Sequence, residues 1–130
     1  MGLYKRHEVG KEAELKACQF LQAKGLALLK QNYHCRYGEI DLIMQDRDDI
    51  VFVEVRSRSC TNFGSALESI NNHKIKKLIK AALHFLQMKK WLYRFNSRFD
   101  VIAIQLIPNN MQLEWFKNAF LIDDYFGMKI

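Results

Sequence analysis

Gly38-Glu39-Ile40-Asp41-Leu42-Ile43-Met44 and Ile50-Val51-Phe52-Val53-Glu54-Val55-Arg56 are two β-type runs on either side of the polar stretch Asp46-Arg47-Asp48-Asp49. Turn formers between two such runs predict a hairpin. With an even-length loop centred between Arg47 and Asp48, Met44 faces Val51, and counting outward Asp41 faces Glu54 and Glu39 faces Arg56. Side chains alternate along a strand, so Glu39, Asp41 and Ile43 share a face with Phe52, Glu54 and Arg56. Ile40, Leu42, Met44, Val51, Val53 and Val55 then form a wholly apolar opposite face. Two like charges opposed across a strand pair cost about 0.2–1 kcal/mol. Arg56 offsets some of that, and a hard divalent cation held by the carboxylate oxygens of Asp41 and Glu54 would offset more. The plainer reading is a solvated polar face on which Glu39 and Arg56 form an ordinary cross-strand pair, and spacing alone leaves both open.

Around the hairpin, residues 9–24 read as an amphipathic helix with Val9, Ala13, Ala17, Phe20 and the Lys24 stem on one side and Gly25 as its stop. Glu14 falls at the edge of that stripe, where a carboxylate looks over the rim of the core. Residues 26–31 predict a first strand, and Asn32-Tyr33-His34-Cys35-Arg36-Tyr37-Gly38 a turn-rich lead-in to the hairpin. Residues 59–65 read as a loop. Between 72 and 89, Ile75, Leu78, Ile79, Ala82, Leu83 and Leu86 recur at helical spacing, with lysines elsewhere around the wheel. Residues 98–107 form a strand, Pro108-Asn109-Asn110 a turn into residues 111–116, and 119–126 a short terminal helix or strand. The order α-β-β-β-α-β-β implies a mixed β-sheet with helices on its faces, an α/β/α sandwich forming a single domain over residues 1–130.

The chain has 130 residues, 49% of them hydrophobic, enough for one core that buries roughly two thirds of the unfolded surface. Cys18, Cys35 and Cys60 are odd in number and widely spaced, which suits a reducing cytoplasm rather than a disulfide framework. No apolar run approaches the ~18 residues of a spanning helix and residues 1–10 are polar, so neither a signal peptide nor a membrane partner is expected. The net charge of +6 is unevenly spread. Residues 69–99 contain no Asp or Glu but eight basic residues, while the rest of the chain carries twelve basic and fourteen acidic ones, a balance of −2. An acid-free block of this kind is the electrostatic footprint of a phosphate backbone, and Lys74, Lys77, Lys80 and Arg98 are its candidate contacts. Trp91, Tyr93 and Trp115 stand at element ends, where packing is the usual role; Trp91-Leu92-Tyr93 beside Lys89, Lys90 and Arg94 leaves base stacking open as a second use.

An acidic residue on the first helix, the Gly-Glu-Ile-Asp-Leu-Ile and Phe-Val-Glu-Val-Arg strands, a Phe-Gly-Ser-Ala segment before a lysine-bearing helix and a closing Arg-Phe-Asp-Val strand occur in that order over residues 10–104. The combination resembles the YraN-like family of small bacterial proteins and, through it, the restriction-endonuclease-like nucleases of PD-D/ExK type, archaeal Holliday junction resolvases among them. The resemblance implies a restriction-endonuclease-like fold and a Mg²⁺- or Mn²⁺-dependent endonuclease acting on DNA, with branched DNA as one substrate class. It puts Asp41 and Glu54 at the two metal-binding acids, the Val55 main-chain carbonyl in the metal shell, Arg56 where the superfamily has Lys, and Glu14 at the first-helix acid. It also implies a homodimer, although no stretch of this sequence marks an interface. Ile40 stands where the motif has Pro. Arg56 has a chemical consequence: guanidinium keeps its proton, so it orients a phosphate and cannot serve as a base. The alternative is a nucleic-acid-binding module that keeps the fold without turnover.

Overall fold

The computed structural model describes residues 2–57, 69–107 and 110–126. The expected loop at 59–65, the Phe-Gly-Ser-Ala segment and the Pro108-Asn109 turn lie outside the described residues. Helix α1 (Gly2–Ala23) leads into strands β1 (Ala27–Cys35), β2 (Gly38–Asp46) and β3 (Asp49–Ser57). Helix α2 (Asn72–Lys89) follows, then strands β4 (Ser97–Ile107) and β5 (Asn110–Phe120) and the short helix α3 (Asp123–Phe126). The strands form one sheet in the order β1-β2-β3-β4-β5. Only β3 and β4 run parallel, because a helix joins them; the other neighbours are antiparallel. The expected mixed sheet with a helix against each face is therefore the architecture seen, consistent with a restriction-endonuclease-like α/β fold.

Burial explains why both helices stay. Leu42, Met44, Val51, Val53, Ile102 and Ile104 pack against Ala13, Ala17, Cys18 and Leu21 of α1. On the opposite face Ile43, Ile50, Phe52, Phe99 and Val101 pack against Ile75, Leu78, Ile79, Ala82, Phe85 and Leu86 of α2. Strands apolar on both faces read as nearly continuous hydrophobic runs, as Val-Phe-Val and Val-Ile-Ala-Ile do here. Phe52, Phe99 and Phe120 are register partners across β3, β4 and β5 and stack at 5.5 and 5.0 Å between ring centroids. Helix α2 starts where Asn71 accepts the Lys74 N–H at 2.8 Å and stops at Lys90 in the left-handed region.

Several boundaries differ from the sequence reading. Helix α1 begins seven residues earlier than position 9, in a stretch with no apolar stripe to signal it. Its buried stripe is Ala13, Ala17, Cys18 and Leu21, while Lys24 is exposed and lies over the Phe20 ring at 5.4 Å. Strand β1 runs on to Cys35, and the expected lead-in shrinks to the two residues Arg36 and Tyr37 because Cys35 pairs with Gly38. As an edge strand it carries exposed polar residues such as Gln31 and Asn32 that resemble a loop in sequence.

Candidate functional site

The hairpin has the expected register: Asp46 pairs with Asp49, Met44 with Val51 and Leu42 with Val53. Arg47 takes the positive φ of 57° that such a tight turn demands. The ladder ends at Leu42 and Val53. One residue further the Asp41 carboxylate, rather than a β2 carbonyl, accepts the Val55 N–H at 2.8 Å. An extended residue directs its N–H and C=O to the same strand edge, so the Val55 carbonyl faces this same opening between β2 and β3.

The opening corrects two expectations. Ile40 lies with Ile43 and the α2 residues rather than with Leu42 and Met44; strict alternation fails at Asp41, where regular pairing with β3 stops. Glu39 and Arg56 do not face each other. Glu39 pairs instead with the exposed His34 at 3.1 Å, and Arg56 Nε lies 3.8 Å from Glu54.

Asp41 and Glu54 meet as expected. Glu54 is buried and lies on the α2 side beyond Phe52, and the two carboxyls are close enough that each shifts the other's titration. Burial, then the neighbouring Asp41 charge, pushes the Glu54 carboxyl up to about 8, against the pull of Lys74 and Arg56. Burial also raises Asp41, opposed by the Val55 N–H and by Glu54. Two carboxylates this close cannot both ionise in a dry setting without added positive charge. Lys74 Nζ, from the first turn of α2, lies 3.8 Å from the same Glu54 oxygen that Arg56 approaches. The lysine was expected as a phosphate contact; its place beside the acid was not legible, since the connection from β3 to α2 decides it. Arg56 also reaches the Ser69 carbonyl at 3.5 Å, and its buried Nε has no hydrogen-bond partner among the described residues.

Glu14 is half-buried on α1, at the rim its helical position predicted. Burial raises its pKa, followed by the charges of Asp41 and Glu39, while the Asn32 side chain and Lys11 oppose the rise. Glu14 thus borders the pair from the α1 side. Among the described residues no three His, Cys, Asp or Glu side chains converge as a metal-sized group, so it does not complete a three-acid cluster. The two carboxylates, with the Val55 carbonyl facing the same opening, are oxygen donors of the hard kind suited to a cation that keeps several waters.

Of the expected backbone contacts, Lys77 and Lys80 are exposed along α2, with the Lys77 Cβ against Gly38, where an added Cβ would lie 3.5 Å away. Arg98 is placed elsewhere. It pairs with Asp46 at 2.9 Å, Asp100 at 3.1 Å and Asp49 at 3.6 Å, at the turn end of the hairpin remote from Glu54. Three carboxylates claim its guanidinium, which sets it apart from the lysines expected beside it as phosphate contacts. Asp100, which the sequence reading gave no role, is wholly buried and also accepts the Trp115 indole N–H and the Asn118 N–H, both at 2.9 Å. It thereby pins the irregular stretch of β5 opposite Phe99 and Val101. A lone acid in an apolar strand is the signal that could have pointed to it.

No helix among the described residues is long and apolar enough to cross a membrane. One solved structure, SfsA from Pyrococcus furiosus in complex with Ca²⁺, aligns with a TM-score of 0.39 and 12% identity over 86% of this chain and 63% of that one. Much nearer in sequence is a UPF0102 protein of Nitrosococcus oceani, 46% identical over 114 residues, which cover 88% of this chain and 92% of the relative. One from Legionella pneumophila is 51% identical over 113 residues, 87% of this chain and 94% of the relative. One from Vibrio parahaemolyticus is 44% identical over 119 residues, 92% and 97% of the two chains. The family profile described as "Uncharacterised protein family UPF0102" matches residues 13–104, a span holding both hairpin carboxylates, the first-helix acid and all of α2. The chain belongs to that family, UPF0102, in agreement with its YraN-like strand motifs.

Proposed function

We propose that this protein is a metal-dependent nuclease of the PD-D/ExK type that hydrolyses phosphodiesters of DNA, branched or otherwise structured DNA included. The observation that carries the reading is the Asp41–Glu54 pair, brought together where the β2–β3 ladder opens and flanked by Lys74 and Arg56. A buried Glu54 set against a half-buried Asp41 is costly to the fold, and a costly polar arrangement between two strands is what a binding site for a small hard cation looks like when read from its ligands. Mg²⁺ or Mn²⁺ would be held by Asp41, Glu54 and the Val55 carbonyl, and such an ion supplies Lewis-acid polarisation of the phosphoryl oxygen and acidifies water.

The chain's own groups divide the remaining work. Arg56 keeps its Nε within 3.8 Å of Glu54, with no hydrogen-bond partner for it among the described residues, and stays charged, so it orients the phosphate and balances charge developing on it. Lys74 adds a second cation beside Glu54. Glu14, with its proton affinity raised by burial and by Asp41, sits at the rim as the group that exchanges a proton with water. Lys77 and Lys80 neutralise flanking phosphates. The free Cys18 and Cys35 thiols fit a protein of the reducing cytoplasm.

Incubation of the pure protein with branched, flapped and linear DNA in Mg²⁺ or Mn²⁺ tests the reading. Cutting that disappears in Asp41→Asn supports it; cutting that survives Asp41→Asn assigns the activity to another site. The second reading, a nucleic-acid-binding module without turnover, is favoured by Arg56 and Lys74 already flanking Glu54. Salt-dependent DNA binding with no cation uptake by calorimetry distinguishes it.

A further inference from the structure

Tyr93 is 96% exposed, the most solvent-facing large side chain among the described residues. Its neighbours are not loose. Trp91 and Phe95 turn inward, 5.4 Å apart, with Trp91 also 6.0 Å from Phe85 of the α2 core. The Trp91 N–H donates to Leu86 O at 2.8 Å, and the Arg94 and Phe95 N–H groups donate to Trp91 O at 3.0 and 3.3 Å. The turn is thus anchored on both sides of a ring that touches nothing. Lys89, Lys90 and Arg94 are its exposed neighbours in sequence, inside the stretch 69–99 that has no acid, with Lys89 Nζ 6.0 Å from the Trp91 ring and the Arg94 guanidinium 5.9 Å from the Phe95 ring. A cleft of about 360 Å³ opens beside the ring, lined by Asp48, Leu92, Tyr93, Arg94, Phe95 and Asn96.

We propose that Tyr93 is a stacking platform for an unpaired nucleic-acid base, with Lys89, Lys90 and Arg94 holding the phosphates on either side. An aromatic face framed by cations is the recurring device for single-stranded nucleic acid, because every base has a π-face and every linkage a charge. Asp48, the acid at the cleft, keeps phosphates to the lysine side and leaves the neutral base to enter.

The platform and the carboxylate pair stand at opposite ends of α2. Lys74, beside Glu54, and Lys90, at the end of α2, are sixteen positions apart, about 24 Å at the helical rise of 1.5 Å per residue. That is about seven steps of a stacked strand at 3.4 Å each. Exposed Lys76, Lys77 and Lys80 lie between them. The inference rests on the nucleic-acid part of the reading above but not on cleavage. It narrows the substrate to one with an unpaired stretch about seven nucleotides from the acids.

Anisotropy with a labelled 15-nucleotide single strand and a blunt, hairpin-closed duplex of the same sequence, in EDTA and low salt, tests it. Tyr93→Ala is expected to weaken single-strand binding about tenfold and leave the duplex unchanged, with Tyr93→Phe restoring wild-type affinity. The exposed ring makes an unchanged melting temperature the accompanying expectation. Single-strand binding by Tyr93→Ala equal to wild type, while Lys74→Ala with Lys77→Ala loses affinity, overturns the platform and leaves the nucleic-acid reading standing. Equal weakening on both substrates also overturns base stacking. Absence of binding by the wild type to either substrate overturns both.

Discussion

Replacing Glu54 by Gln should make the metal-free protein more stable, not less, by an amount that grows as pH rises from 4.5 to about 8. The folded-state value of about 8 lies above the ordinary 4.5 of a glutamate, so the fold favours the neutral form. This contribution is fully present below pH 4.5 and is lost as pH rises through 8. At about 1.4 kcal/mol per pH unit the rise is worth about 5 kcal/mol at most. The pull of Lys74 and Arg56, each 3.8 Å from the carboxylate, is already contained in that value; relaxation and water entry around the ionised group bring the expected gain to about 2 kcal/mol at pH 9. The amide keeps the shape of the protonated acid and can donate to Asp41 as a protonated carboxyl can. For a domain of this size about 2 kcal/mol corresponds to about 8 °C. Thermal unfolding in EDTA at pH 5, 7 and 9, followed by circular dichroism, reads it: wild type and Glu54→Gln should melt together at pH 5 and diverge by pH 9. A variant that melts with wild type or below it at pH 9 would refute the claim that this carboxyl is held protonated by burial and by Asp41.

Other consequences test separate parts of the molecule. Asp100→Ala strips the half-buried Arg98 of one carboxylate and leaves the Trp115 and Asn118 N–H groups without their acceptor; a loss of about 3–5 kcal/mol in chemical unfolding is expected, with cation affinity at the far end of the hairpin retained. Lys74→Ala with Lys77→Ala should flatten the dependence of log affinity on log salt by about 2 for duplex DNA, and an unchanged slope would remove α2 from the contact surface.

The parts legible in the sequence were those set by local chemistry. The Asp46-Arg47-Asp48-Asp49 turn fixed the register of Met44 against Val51, and with it the approach of Asp41 to Glu54. The helix at 72–89 matched because seven buried apolar positions and the Asn71 cap agree on where it starts and what it covers. What escaped depended on the third dimension. Ile40 moved to the other face because the strands part at Asp41, which alternation cannot foresee. Arg98 reads as one more cation in a basic block, yet its partners come from β2, β3 and β4. Lys74 reads as a surface lysine, yet the β3–α2 crossover brings it to Glu54. A continuous strand through Gln31-Asn32-Tyr33-His34 was hidden because an edge strand needs no apolar alternation on its open side.

The central claim is that a cation-sized set of oxygens lies between β2 and β3. Anomalous diffraction at the manganese edge from crystals soaked in Mn²⁺ tests it most directly. The account predicts one peak, about 2.2 Å from a carboxylate oxygen of Asp41, of Glu54 and from the Val55 carbonyl. A peak instead among Asp46, Asp48 and Asp49 at the turn, or none in crystals where both acids are ionised, would contradict it.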